Sequence, residues 1–326
     1  MGVLIVAPNW LGDAVMALPA IRDVRRHFPG VTLTVAARPS VAALFRAVPE
    51  VDEITILDST GKSAPLSADI GILLPNSFRS AWLLKSAGVK ERWGYRSDFR
   101  RLLLTRAIRR PRPKVHFAEY YSYLVRQLGV ETGPLTPRLS VQASAVASAA
   151  KLLDDHGWQT SQPLIGVAPG AAFGHAKRWP TARFAELAAR LNSEAGAQCV
   201  VLGRKEDRDP ARDIPGIDLV GQTDLMMLMG VLSHCRALVA NDSGALHLAA
   251  ALGVPVIGIY GPTDERYSAP MTSIEGAADR VDAIVEPVFC RPCFLADCPI
   301  DHRCMKRIST DRVYDSVRRF LQEARA

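Results

Sequence analysis

The 326 residues are 48% hydrophobic and 22% charged, a globular balance with enough chain for one large or two medium cores. No apolar run approaches the ~18 residues of a membrane span, and Met1 to Pro8 enters an apolar stretch without a basic leader, so neither a membrane span nor a cleaved export signal is expected. The net charge of +7 suits an anionic partner or substrate, and six cysteines without an export signal are expected in a reducing cytoplasm and need not be disulfides.

Val3-Leu4-Ile5-Val6 is a short continuous apolar run, the pattern of a parallel strand buried on both faces. A loop from Pro8 to Asp13 follows, then an Ala-rich segment to about Phe28 in which Pro19 either kinks a helix or stands in its first turn. The pattern next predicts a strand from Val31 to Ala36, a helix from Val41 to Val48, and strands over Ile54–Leu57 and Ile70–Leu74. Such alternation implies a doubly wound parallel sheet, whose ligands bind at the carboxyl ends of the strands. Asp13 and Asn76-Ser77-Phe78-Arg79 fall there. From Lys90 to Lys114 ten basic residues stand against Glu91 and Asp98. This is either a solvated face or a patch for a polyanion: nucleic acid, anionic lipid or a phosphorylated substrate.

Pro134, Pro137 and the Ala/Ser-rich stretch Ala143 to Ala150 change the register, with a helix expected over Ala145–His156. A second alternating series begins near Gln162. It comprises strands at Leu164–Ala168, Cys199–Leu202, Ala237–Ala240 and Val256–Tyr260, and helices at Phe184–Leu191, Leu225–Ser233 and Leu246–Leu252. The expected division is therefore an N-terminal domain over 1–160, a second over 161–308, and a final amphipathic helix over 309–326 that packs back on the first. Two such α/β units would put a small-ligand cleft between them. The first turn lacks G-x-G-x-x-G, and Gly61-Lys62-Ser63 has Ile56 where a P-loop needs its first Gly, so neither NAD nor a Walker ATPase is supported. Trp93, Tyr95 and Phe99 interleave with arginines, yet no nucleic-acid motif is present and no nucleic-acid partner is expected.

Asn241-Asp242-Ser243-Gly244-Ala245-Leu246-His247 reads as the end of a strand, a tight turn and the first turn of a helix. Such a junction presents unpaired N–H groups at the positive end of a helix dipole. Gly244 lets a phosphate approach the backbone, while Asp242 and Ser243 can either cap the helix or bind a hydroxyl. The loop from Ala168 to Pro180 also follows a strand and carries two glycines and Lys177-Arg178 ahead of a helix start. Each alone is also an ordinary βα turn. Together they are two phosphate-capable turns on one sheet.

These segments resemble one family. Asn9-Trp10-Leu11-Gly12-Asp13, Leu74-Pro75-Asn76-Ser77-Phe78-Arg79-Ser80, the loop Pro169 to Pro180 and Asn241 to Gly244 with Tyr260-Gly261-Pro262 are similar to the ADP-heptose:lipopolysaccharide heptosyltransferases of glycosyltransferase family 9, the type II enzymes more than the type I. The likeness runs over nearly the whole chain. It implies a GT-B fold, α/β with two Rossmann-like doubly wound parallel-sheet domains facing across a cleft. It further implies inverting transfer of L-glycero-D-manno-heptose from ADP-heptose to the first heptose of the lipopolysaccharide inner core. On this resemblance Asp13 is the general base and Lys177 steadies charge on the leaving ADP. Gly170, Ala171, Lys177, Asp242, Ser243, Gly244 and His247 hold the donor. No cofactor is required. For the Kdo- and heptose-bearing lipid A acceptor the expected residues are Asn76, Arg79 and Arg96, with the basic segment facing acceptor phosphates and Kdo carboxylates. The protein would be cytoplasmic and peripheral at the inner leaflet. Ala172 departs from the Glu of enterobacterial type II enzymes, which leaves donor selectivity open. Another GT-B nucleotide-sugar transferase and a non-catalytic polyanion-binding protein remain alternative readings.

Cys290, Cys293, Cys298 and Cys304 give C-x2-C-x4-C-x5-C with His302 nearby. The set could close a structural zinc or iron–sulfur site, remain thiols, or form a disulfide on oxidation. Cys199 and Cys235 read as apolar fillers.

Overall fold

A computed structural model of the protein describes residues 2–58, 66–271 and 280–323; Gly61-Lys62-Ser63 lies outside these residues. The contacts divide the chain into two compact units, Met1–Ser140 and Val141–Ala326.

The first unit contains β1 (Gly2–Val6), α1 (Leu11–Met16), α2 (Leu18–His27), β2 (Thr32–Ala37), α3 (Pro39–Ala42), β3 (Glu53–Ile56), β4 (Ile70–Leu73), α4 (Phe78–Ser86), β5 (Glu91–Tyr95), β6 (Arg106–Ile108) and α5 (Phe117–Gln127). Its sheet is parallel in the order β3-β2-β1-β4-β5-β6. The apolar run of β1 is central: Val3 registers with Leu33 on one side and Ile70 on the other. Chain order reverses between β1 and β4, and the loops after both strands therefore emerge side by side at the carboxyl edge.

The second unit contains α6 (Ala143–Asp155), β7 (Leu164–Ala168), α7 (Thr181–Ala195), β8 (Gln198–Val201), α8 (Arg208–Ala211), β9 (Ile217–Asp218), α9 (Leu225–His234), β10 (Cys235–Asn241), α10 (Gly244–Ala251), β11 (Val256–Tyr260), α11 (Glu265–Ser268), β12 (Val281–Val285), α12 (Arg303–Lys306) and α13 (Thr310–Glu323). Its parallel order is β12-β11-β10-β7-β8-β9. Val167, Val239 and Ile257 from the sheet pack with Phe184 and Leu187 of α7 and with Val313, Val317 and Phe320 of α13.

Of the two readings open for Pro19 the structure takes the second: Ala17 ends α1, and Pro19 sits in the first turn of α2, where its missing N–H costs nothing. Two expectations need correction. The helix expected over Val41–Val48 is the single turn α3 followed by a 3-10 turn, Ala43–Ala47. The division falls after Ser140 rather than near 160, because α6 packs on α9 of the second unit and His234 Nε2 lies 3.0 Å from the Val146 carbonyl. Within the second unit the apolar face of the C-terminal helix packs against α7 and the sheet.

Trp179, on the approach to α7, is 1% exposed, meets Phe184 edge-on at 4.8 Å and donates its indole N–H to the Ile308 carbonyl at 3.0 Å. Trp179→Ala is expected to destabilise the protein by about 3–5 kcal/mol, read as a lower urea midpoint by circular dichroism.

Candidate active site

In the second unit three adjacent strands, β7, β10 and β11, deliver their loops to one edge of the sheet. Asn241 closes β10 and is wholly buried. Its side-chain amide donates to the Pro169 carbonyl at 2.7 Å, and its Oδ1 accepts the Trp179 N–H at 3.0 Å, so both ends of the loop after β7 are tied to β10. Between those ties lies Lys177, whose Nζ meets Asp242 Oδ2 at 2.6 Å and stands 5.3 Å from the Phe173 ring. Thr263, from the loop after β11, donates its hydroxyl to the same Asp242 oxygen at 2.7 Å. Lys177, Asp242 and Thr263 thus form one charge-assisted group.

Of the two roles open to Asp242 and Ser243, neither residue takes that of capping α10. Ser243 occupies the N-cap position in extended conformation without a side-chain cap bond, and the Asp242 carboxylate is engaged by Lys177 and Thr263. Helix α10 begins at Gly244 and buries His247 one turn on. Its first-turn N–H groups have no carbonyl within the helix to bond, which leaves the positive end of the dipole beside the Lys177–Asp242 pair. Gly170 lies close under Asp207: a Cβ there would stand 2.4 Å from the Asp207 carboxyl carbon, so the carboxylate would have to shift. Asp207 is buried and accepts the Arg204 N–H at 3.0 Å. Ala171 is buried beside it. The sheet thus brings together Gly170, Ala171, Lys177, Asp242, Ser243, Gly244 and His247. Sequence reasoning gave no role to Asn241, Thr263 or Asp207; the signal for each was only its place at the end of a strand or in the loop that follows one.

In the first unit Asp13 lies in the first turn of α1, after β1. The dipole there favours a carboxylate. Tyr121 of α5 is close by, and its ionisation is pushed well up by burial and, secondarily, by the Asp13 charge. Asn76 and Arg79 follow β4 and Arg96 follows β5, so all four expected residues sit at the ends of three neighbouring strands. Asn76 is partly committed to the fold: its Nδ2 donates to the Tyr120 hydroxyl at 3.0 Å, and its carbonyl accepts from Ser97 Oγ at 3.1 Å. Arg79 and Arg96 are exposed. A cavity of about 270 Å3 at this edge is lined by Asn9, Arg38, Asp58, Ser77, Arg79 and Trp82. Arg38 and Trp82 were not anticipated.

The basic segment is not one solvated patch. Arg92 donates to the Leu103, Val89 and Lys90 carbonyls, and Arg106 stacks 4.4 Å over Trp93. Arg100 is fully buried and gives its hydrogen bonds to the Tyr95, Pro75 and Ser77 carbonyls and to Ser80 Oγ. Burial draws its guanidinium down to about 10. Arg96 does remain exposed, its pKa lowered by local desolvation and then by Arg109, Arg101 and Arg112.

Of the three readings open for the cysteine cluster, the structure takes that of free thiols. All are free thiols, and among the described residues no group of three or more His, Cys, Asp or Glu is placed to hold an ion. Backbone bonds set the course of this loop instead. Cys293 and Phe294 donate to the Pro262 carbonyl, the Ala296 carbonyl accepts from Ala176, and Cys298 Sγ takes the His302 N–H. Cys293 is exposed while Cys304 is buried. Cys199 and Cys235 are core thiols whose pKa burial pushes up to about 12. With a thiol reagent near neutral pH, Cys293 is expected to be modified first and Cys199 and Cys235 only after unfolding, as peptide mass spectrometry would show. Asp242→Ala strands Lys177 and is expected to cost about 3 kcal/mol, whereas Thr263→Val should cost about 1 kcal/mol; urea titrations compare the two.

Residues 65–302 match the family model described as glycosyltransferase family 9 (heptosyltransferase). Lipooligosaccharide heptosyltransferase 2 of Haemophilus ducreyi is 32% identical over 302 residues, covering 83% of this chain and 86% of that protein. Lipopolysaccharide heptosyltransferase 2 of Escherichia coli is 29% identical over 303 residues with the same coverage. The solved structure of Escherichia coli ADP-heptose lps heptosyltransferase II aligns with 100% of both chains at a TM-score of 0.83 and 27% identity. A family 9 glycosyltransferase structure from Veillonella parvula aligns with 99% of this chain and 98% of its own at a TM-score of 0.85 and 22% identity, a likeness of fold. With matching residues over most of its length and the paired parallel-sheet fold of these enzymes, the chain belongs to glycosyltransferase family 9.

Proposed function

We propose that the protein transfers L-glycero-D-manno-heptose from ADP-heptose to the first heptose of the lipopolysaccharide inner core. The observation that carries this reading is the Lys177–Asp242 pair at 2.6 Å, held by Thr263 beside the first turn of α10 in a family 9 chain. A lysine and unpaired helix N–H groups together suit a diphosphate, and they oppose the negative charge that builds on departing ADP. Ser243, free of a capping role, is available to a donor hydroxyl.

In the proposed reaction the acceptor hydroxyl oxygen attacks the anomeric carbon, the bond to the ADP oxygen breaks with inversion, and the hydroxyl proton passes to Asp13. A carboxylate is a weak base, yet it need accept the proton only late, once the anomeric centre has become oxocarbenium-like and collects the incoming oxygen. Asn76, Arg79 and Arg96 would hold the acceptor, whose phosphates and Kdo carboxylates complement the exposed arginines. The work would be done in the cytoplasm, peripherally at the anionic inner leaflet; among the described residues no helix is long and apolar enough to cross a membrane.

The test is ADP release from ADP-heptose with a core ending in its first heptose. Asp13→Asn is expected to lower kcat by about 10²–10⁴-fold while leaving ADP-heptose affinity unchanged; an unimpaired kcat removes the base. Arg79→Ala with Arg96→Ala should raise acceptor KM and leave donor KM alone. Release of ADP only from another ADP-sugar would move the chain to a different donor, the alternative that Ala172 keeps open.

A further inference from the structure

The turn between β5 and β6 combines features that the fold of the unit does not explain. Phe99 and Leu102 are 97% and 92% exposed, the largest exposures among the large hydrophobic residues described. Asp98 and Phe99 both adopt left-handed backbone, φ 50° and 56°, a conformation that non-glycine residues rarely take and that turns Phe99 outward. The turn is nevertheless firmly anchored. Arg100, between the two projecting side chains, is buried and bonded to three carbonyls, Leu103 is buried, and Asp98 Oδ2 accepts the Phe78 N–H at 2.7 Å. Two apolar side chains are thus held rigidly in water.

Their surroundings are cationic. Arg96, Arg101, Arg109 and Arg112 are exposed, and between Arg96 and Arg112 the sole acidic residue is Asp98, whose carboxylate is turned onto α4. The anchoring bonds run to the Pro75–Phe78 segment, which also carries Asn76 and leads into Arg79. An apolar tip ringed by arginines matches an anionic bilayer, where apolar side chains enter the headgroup–acyl boundary and guanidinium groups meet phosphates.

We infer that the 98–102 turn is a membrane-docking wedge: Phe99 and Leu102 insert into an anionic phospholipid surface while Arg96, Arg101, Arg109 and Arg112 contact its phosphates. The inference deepens the proposed function, since it rests on an acceptor borne by a lipid. Docking at this turn sets the Asn76–Arg79 segment at the membrane surface, where the sugar of such an acceptor begins.

The test uses the whole protein and sedimentation with vesicles, either pure phosphatidylcholine or phosphatidylcholine with about one-third phosphatidylglycerol. Wild type should bind the anionic vesicles and not the neutral ones. Phe99→Asn with Leu102→Ser, which keeps the left-handed backbone accessible, should weaken that binding by about tenfold or more. Arg101→Glu with Arg109→Glu should weaken it by a similar factor and make what binding remains less sensitive to salt than that of wild type. On a deacylated, water-soluble acceptor the apolar double variant should keep wild-type kcat/KM; on acceptor carried in anionic vesicles its kcat/KM should fall. Equal binding by variant and wild type, equal binding to both vesicle types, binding only when acceptor is present, or a dimer that the double variant dissociates would each overturn the wedge. Absence of heptose transfer to either acceptor would instead sink the proposed function, and vesicle binding would still decide the wedge.

Discussion

The buried side-chain amide of Asn241 is the interaction on which the second unit's site depends. A neutral amide offers a donor and an acceptor at one point, and here each meets a backbone group of the loop after β7. Neither Pro169 nor Trp179 could satisfy those groups with water, because Trp179 and Asn241 are sealed in the core. Loss of the amide would leave two buried backbone groups unpaired, at about 1–3 kcal/mol each. The consequence is positional. With both ends of the loop fixed to β10, Lys177 is carried to the residue that follows Asn241, and the ion pair with Asp242 forms as a product of sheet geometry.

The first unit reaches the same end with different chemistry. Arg100 is a buried cation that bonds carbonyls, and its Nη2 finds no partner among the described residues. Burying a guanidinium is far more costly than burying an amide, and it is tolerated where several fixed dipoles replace its water. The carbonyls of Tyr95, Pro75 and Ser77 do so, and in return the turns after β4 and β5 become one body. Tyr95 adds to this by donating its hydroxyl to the Tyr120 carbonyl at 2.6 Å, with Tyr120 bonded to Asn76. Each unit therefore fixes neighbouring carboxyl-edge loops with one buried polar side chain.

How legible this was depended on burial. β1, β7, β10 and β11 are central strands covered on both faces, so their sequences are unbroken apolar runs, and the loops that follow them could be placed at once. β5 and β6 were invisible because they lie toward the edge and mix Arg92 and Arg106 with Trp93 and Tyr95; the arginines are used within the unit, one on carbonyls and one on an indole. Counting charge from Lys90 to Lys114 could not separate Arg100, which is buried, from Arg101, which is exposed. The division near 160 was set by where the second series of strands begins, and helical spacing alone could not say on which unit α6 packs; small residues are what allow it close to α9, where a Cβ on Gly230 would stand 2.5 Å from the Ala145 carbonyl. Cysteine spacing left metal, thiol and disulfide open, and it is the thiol reading that the structure takes.

The two edges differ in how their charge is held, and the difference bears on the proposed chemistry. At the second sheet Lys177 already has an anionic partner and a fixed position, so a diphosphate would meet a cation whose side-chain entropy was lost on folding. Asp242 would repel that diphosphate if it stood alone, but Lys177, the Thr263 hydroxyl and the N-terminus of α10 offset its charge. Such an arrangement favours a ligand that carries both phosphate, for the lysine and helix, and hydroxyls, for Ser243. At the first sheet the cations Arg79 and Arg96 are exposed. Exposed arginines on a fixed scaffold suit an acceptor with several dispersed anionic groups, where long-range attraction matters more than one exact fit. In the proposed reaction a preset site would suit the donor and an exposed one the acceptor, because only the donor must be held rigidly enough to break a bond at one carbon.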